Sequence, residues 1–233
     1  MALSKAFLGS TIQDASGGSI ACTVNSTGYT HIVAFVKHEG ASTTITGADN
    51  KGSGAYNGLT IVDHANNDLH TRMLWVKIGT AGASHTVTLT FGAARAFSRM
   101  AVWGVSSGTG ELGVDTSVQT SGTGTAVNAG SLVTTTATAS FMGVGEYFAT
   151  SYLASGSWSE DLDNNIFAAS RTDASGTFNA DCTAADSMDW AANAASFKEA
   201  SASGPGSGSD SSAVGMSEAS TNLVRVNIVE ETS

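Results

Sequence analysis

The chain has little of what most soluble domains carry on their surfaces. Asp, Glu, Lys and Arg make up 13% of its 233 residues, against roughly 25% in an average soluble domain. Basic residues are scarcest: ten Lys and Arg face twenty Asp and Glu, for a net charge of -10. Nucleic-acid binding is driven mainly by Lys and Arg displacing counterions from phosphate. Here the basic residues are scattered singly, so the charge argues against a nucleic-acid partner and, for the same reason, against an anionic membrane surface. No apolar run approaches the roughly 20 residues that a membrane-spanning helix needs.

Cysteine and proline are almost missing. Cys22 and Cys182 are too few for a disulfide framework, and neither sits in a C-x-x-C pair. Free cysteine is usually buried, so both read as small apolar residues of strands, with one long-range disulfide as the alternative. The N-terminal Met1-Ala2-Leu3-Ser4-Lys5-Ala6-Phe7 lacks a secretory apolar region, and the expectation is synthesis in a cytoplasm without export. Aromatics, at 7%, are sparse for a polysaccharide-cleaving groove. Neither a P-loop nor an H-E-x-x-H pattern occurs, so the chain is expected to be no enzyme and to need no cofactor or metal.

What is present is small and uncharged: 27 Gly, with Ser, Thr and Ala filling much of the rest. The dominant period is two, the signature of half-buried strands. Ile20, Cys22 and Val24 alternate with small or polar neighbours. Residues 30–37 (THIVAFVK) form a continuous β-branched and aromatic run, expected to be a central strand. Residues 70–78 (HTRMLWVKI) and 84–91 (SHTVTLTF) predict two strands joined as a hairpin by Gly79-Thr80-Ala81-Gly82. In the second, Val87, Leu89 and Phe91 face a core while Thr86, Thr88 and Thr90 face water. Residues 96–105 would return beside it. Further strands are expected over 140–149, 165–170, 177–182 and 191–198, and no segment has the caps and spacing of an amphipathic helix. The fold class is therefore all-β: an antiparallel, jelly-roll-like β-sandwich over residues 1–199.

Two stretches break the pattern. Residues 106–130 read as a long Ser/Thr/Gly loop or weak edge strands. Residues 200–220 (ASASGPGSGSDSSAVGMSEAS) have linker composition. A strand signature then returns over 221–229, where Leu223, Val224, Val226, Ile228 and Val229 are apolar. Such a tethered strand could complete its own sheet or add to the edge of a neighbour's.

From Ser84 onward, over about half the chain, an ordered set of features stands out. Thr86-Val87-Thr88-Leu89-Thr90-Phe91 leads to Met100-Ala101-Val102-Trp103-Gly104-Val105. A Gly/Thr-rich loop with Asp115 follows, then Ser131-Leu132-Val133-Thr134-Thr135-Thr136, a Gly-rich strand from Phe141 to Tyr147, and a closing strand from Trp190 to Lys198. In this the chain resembles a family of phage and bacterial β-sandwich modules found in virion and surface proteins. The resemblance implies a structural or display role without catalytic residues. The expected function is that of a bacteriophage virion structural protein, a capsid decoration or cement protein. It would sit in the virion and pack against other capsid or tail proteins and copies of itself as a homo-oligomer.

The alternative is a carbohydrate-binding, host-recognition module of a tail fibre or adhesin. Trp75 and Trp103 lie in apolar strands and read as core. Trp190 is a second-rank candidate for sugar stacking, and Trp158, in a Gly/Ser loop beside an acidic run, is the better candidate for exposure. In Ser159-Glu160-Asp161-Leu162-Asp163-Asn164-Asn165, oxygen ligands that calcium prefers are gathered, but without EF-hand spacing, so a surface acidic loop is expected. The run Asp63-His64-Ala65-Asn66-Asn67-Asp68-Leu69-His70 has metal-ligand residue types but reads as a polar loop.

Overall fold

A computed structural model describes residues 3–64, 68–146, 151–163 and 165–200. The expected linker and the segment bearing Leu223, Val224, Val226 and Ile228 lie outside the described residues. Strand accounts for 74% of the structure and there is no helix among the described residues. In chain order the strands are β1 (Ser4–Gln13), β2 (Gly17–Val24), β3 (His31–Glu39), β4 (Ile45–Asp49), β5 (Asn57–Gly58), β6 (Val62–His64) and β7 (Leu69–Lys77). They continue with β8 (His85–Ser106), β9 (Leu112–Thr134), β10 (Thr138–Glu146), β11 (Tyr152–Ala154), β12 (Ser159–Asp163), β13 (Ile166–Asp173) and β14 (Gly176–Glu199). All pairings are antiparallel, in two sheets ordered β1-β8-β3-β7-β5 and β9-β14-β10-β13-β12. The expected antiparallel β-sandwich is the observed fold.

The second half of the chain repeats the topology of the first. Strands β1 and β2 together run along the whole of β8, from Ser4 opposite Ser106 to Val24 opposite His85. The single strand β9 runs along β14 in the same way, from Leu112 opposite Glu199 to Thr134 opposite Gly176. In each half a central strand lies between the long strand and one more: β3 between β8 and β7, β10 between β14 and β13. A short strand caps the N-terminal part of each long strand, β4 on β8 and β11 on β14. Even the side-chain pairing recurs, with Phe35 opposite Ala101 and Phe141 opposite Ala195. Each half is a module with a five-stranded inner sheet and a smaller outer layer.

The long strands make these layers by bending. The first part of β8 pairs with β2 and β4 in the outer layer, and its last part pairs with β1 and β3 in the inner sheet. Ile20, Cys22, Val24, Val87, Leu89 and Phe91 of the outer layer close on Ile32, Ala34, Val36 and Leu74 of the inner sheet. In the second module, Val127, Leu132, Ala180 and Cys182 close on Met142, Val144, Phe167 and Ala192. Both cysteines are buried thiols outside any disulfide, one in each of these cores.

The two inner sheets then pack face to face through Val33, Phe35, Met73, Ala101 and Trp103 from the first module and Ala139, Phe141, Ala168, Ala195 and Phe197 from the second. Trp103 and Phe141 lie 5.2 Å apart, and Phe141 and Phe197 meet edge-on at 5.9 Å, in the 4.5–7 Å range of favourable ring pairs. Polar ties cross the same seam. Lys5 Nζ donates to Ser170 Oγ at 2.6 Å, Lys37 Nζ to the Glu146 carbonyl at 2.7 Å, and the Trp103 indole N–H to Asp161 at 2.8 Å.

Three expectations are corrected. β7 and the first part of β8 are not a hairpin: Gly79–Gly82 carries the chain from an inner sheet to an outer layer, so each strand finds other partners. Residues 96–105 do not return beside residues 84–91; they continue the same 22-residue strand past its bend. Likewise 177–182 and 191–198 belong to one strand, β14. Of the two readings of 106–130, loop or edge strand, the edge strand is observed: most of the stretch is the 23-residue β9. An edge strand over a small outer layer buries one residue here and there (Val127, Ala129, Leu132), which leaves a weak alternation.

Gly143 of β10 is where the modules approach most closely: a Cβ there would fall 2.3 Å from the Phe35 ring. Gly143→Val is therefore expected to lower unfolding stability by about 2–3 kcal/mol, the upper part of the overpacking range, as a shift of the urea midpoint. A change below 0.5 kcal/mol would mean that the seam is loosely packed.

Candidate functional site

Trp158 is not the exposed aromatic that its Gly/Ser surroundings suggest. It is 6% exposed, donates its indole N–H to the Asn179 carbonyl at 2.8 Å, and meets the Phe178 ring edge-on at 6.0 Å. The Arg171 guanidinium lies over Phe178 at 4.0 Å and over Trp158 at 5.6 Å, held by Asp173. The neighbouring β11 and β14 close over the indole, so local loop composition misjudged a residue whose cover comes from elsewhere in the chain. Trp190 is buried too. In the acidic run, Asp161 accepts from the Trp103 indole and from Ser170, which ties it to the seam between modules.

The histidine-bearing run supplies a structural pair. His70 Nδ1 meets Asp63 Oδ1 at 2.6 Å, and His64 lies 3.8 Å from Asp189 of β14. Among the described residues no three His, Cys, Asp or Glu side chains converge as metal ligands. His70 also stacks on His38 at 4.9 Å, and His38 touches Phe91 at 5.2 Å. His38 is buried, and neither ring nitrogen finds a well-aligned hydrogen-bond partner among the described residues. Burial pushes its pKa down to about 4, helped by His70 and Arg95. His31, at the other end of β3, is pushed to about 4 mainly by burial as well.

The structure assembles one constellation that sequence reading missed. Ser26 Oγ lies 2.9 Å from His85 Nδ1, and Asp49 Oδ2 lies 3.3 Å from His85 Nε2. The residue types are those of a hydrolytic triad, but the arrangement differs. The serine meets Nδ1 rather than Nε2, the Nε2–Asp49 approach is not aligned as a hydrogen bond, and Ser26 and His85 are wholly buried. Ser26 Oγ accepts from Gly82 N at 3.1 Å and Asp49 accepts from Tyr56 at 3.0 Å, so the group clamps two turns together. Gly104-Val105-Ser106-Ser107-Gly108 also matches the G-x-S-x-G spacing, although no nucleophile elbow is expected from the sequence. It runs from β8 into a turn, not into the helix that a nucleophile elbow requires. Ser106 Oγ donates to the Gly28 carbonyl and Ser107 Oγ to the Glu111 carbonyl.

The surface that remains is notable for its edges. Strand β9 pairs on one side only among the described residues. Natural edge strands are usually protected by Lys, Pro, brevity or bulges; β9 is long and has no Lys or Pro, but it bulges against β14 at Asp115 and Ala129. Its single charge, Asp115, is engaged by Lys198 Nζ at 2.7 Å and by the Thr135 backbone N–H at 2.7 Å. Nearby, Leu153 on β11 and Val133 on β9 are 72% and 57% exposed, in an outer layer whose other outward residues include Thr177, Asn179 and Thr183. The fold and surface together define a two-module antiparallel β-sandwich with one long edge strand, β9. In comparisons with family models, curated proteins and solved structures, nothing matches this chain.

The two depressed histidines give a pH dependence. In the unfolded chain they take up protons near 6.5 and in the folded protein only near 4. Their contribution is thus complete above about pH 6.5 and is lost as the pH falls towards 4, on the order of 2 kcal/mol for each. Urea midpoints measured at pH 7.5 and 4.5 should differ accordingly, and His38→Phe should remove part of that difference. Equal midpoints at the two pH values would contradict this account.

Proposed function

We propose that the chain is a structural component of a bacteriophage virion, a capsid decoration or cement protein that acts by packing against other virion proteins and copies of itself. The observation that carries this reading is the free edge of β9. A 23-residue strand with one side unpaired among the described residues, and whose single charge is paired with Lys198, suits main-chain addition or close packing. The low charge of the chain fits broad contacts, and the sequence resemblance to virion and surface modules supplies the context. One specific contact typically buries about 1,600 Å², and repetition over a lattice turns modest contacts into strong attachment. No exposed indole at Trp158 supports the alternative of glycan recognition at that loop.

Quantitative mass spectrometry of purified particles tests the reading. Hundreds of copies per particle are expected; none would overturn it. Ser117 and Thr125 are exposed on β9. Changing both to Lys should leave the thermal midpoint within about 2 °C, since surface substitutions usually cost little, yet reduce the copies bound per particle at least fivefold. Full occupancy by the double variant would show that β9 is not the contact.

Residues 3–200 pair among themselves within one unit. Truncation after Gly204 is therefore expected to leave the cooperative unfolding transition intact and to weaken attachment to particles. Loss of the transition would show that the terminal segment belongs to the home fold.

A further inference from the structure

At its bend, β8 carries a feature that folding alone does not explain. Phe97 has a φ of +49°, a region that bulky residues avoid, and its ring is 47% exposed. A residue held in a costly backbone conformation while presenting an apolar ring to water is a mark of a functional site. Two neighbours share the left-handed conformation, Asp68 at +48° and Gly40 at +97°. Phe97, Asp68 and Gly40, with Ser16, Glu39 and Arg95, line an open cavity of about 360 Å³. That lies within the 300–1,000 Å³ typical of small-molecule pockets.

The polar groups of this cavity are underused. Among the described residues the Arg95 guanidinium makes one hydrogen bond, from Nη1 to the carbonyl of its neighbour Ala94 at 2.8 Å. Its Nε is buried without a partner, and it forms no ion pair although two carboxylates line the same cavity. Glu39 engages Lys37 through Oε1 at 2.6 Å, which leaves its other oxygen open. Among the described residues, Asp68 has no hydrogen-bond partner.

The chemistry of the walls selects a ligand class. An anion would meet two carboxylates against one arginine. A cation would meet the Arg95 guanidinium. A purely apolar ligand would leave the buried Arg95 donor unpaired, at the desolvation cost of such groups. A neutral polyhydroxylated ring satisfies all three walls: its hydroxyls donate to Glu39 and Asp68 and accept from Arg95, and its C–H face lies on Phe97. We propose that the cavity at the bend of β8 binds a neutral saccharide of one or two pyranose rings. This inference is independent of a role in virion packing, and it places the sugar in the first module, away from Trp158.

Saturation-transfer NMR on the full chain tests it, with the methyl α-glycosides of glucose, mannose, galactose, N-acetylglucosamine and rhamnose as probes and methyl glucuronide and glucosamine as charged controls. At least one neutral glycoside should receive saturation on its ring C–H protons, with binding at least fivefold tighter than either control. Phe97→Asn should abolish the effect while the thermal midpoint stays within about 3 °C, because Asn tolerates positive φ and the relief of strain offsets the half-buried ring. Asp68→Asn, at an exposed position that also suits Asn, should weaken binding at least fivefold without unfolding the protein. The proposal is overturned if no neutral glycoside binds, if a charged control binds best, or if both variants bind like the parent chain.

Discussion

The contact on which the rest of the structure depends is the face-to-face packing of the two inner sheets, with Phe35 lying against Gly143 and the rings of Trp103, Phe141 and Phe197 filling the seam. Because each inner sheet is covered on its other face by an outer layer, β3 and β10 are buried on both sides and lose the in–out alternation of an ordinary antiparallel strand. Small residues at the seam follow from the same constraint. Ala101, Ala139, Ala168 and Ala195 let the sheets approach, and the aromatic rings occupy the space they leave. Buried polar groups at the margin are matched across it: Lys37 to Glu146, Lys5 to Ser170 and the Trp103 indole to Asp161.

Much of the fold class was legible because strand periodicity is local. The run at 30–37 announced a central strand, and the alternation of Val87, Leu89 and Phe91 with threonines correctly separated dry from wet faces. What the sequence concealed is set by distant partners. Nothing local distinguishes a strand that ends from one that bends into a second layer, so β8 and β14 each read as two strands. β1 was missed because it buries few residues, and β9 could be read as loop or edge strand because its apolar positions are isolated. The topological repeat was hidden for a related reason: equivalent positions are filled by different residues, as Trp103 and Phe197 are, so that the two modules complement rather than copy each other across the seam.

The candidate sites were less legible than the fold. Exposure at Trp158 was judged from its neighbours in sequence, whereas its cover comes from Asn179 and Phe178 across the sheet. The features that matter at the bend of β8 are conformational, and a positive φ at Phe97 has no sequence signature when the residue is not Gly, Asn or Asp. The Ser26–His85–Asp49 group shows the opposite hazard: residues of catalytic type come together from three distant segments and serve to hold turns.

The repeat of the module along the chain also orders events during synthesis. The first inner sheet cannot be completed until Ser106, the last residue of β8, has left the ribosome, because β1 pairs with the end of that strand. From then until Glu199 is made, 93 residues later (199 − 106), the sheet bearing Val33, Phe35 and Trp103 has no partner. At roughly 5–20 residues per second, that is an interval of about 5–20 s in which a sticky surface awaits its mate. Rapid closure of the second module onto this face is therefore what limits its exposure to other apolar surfaces during synthesis.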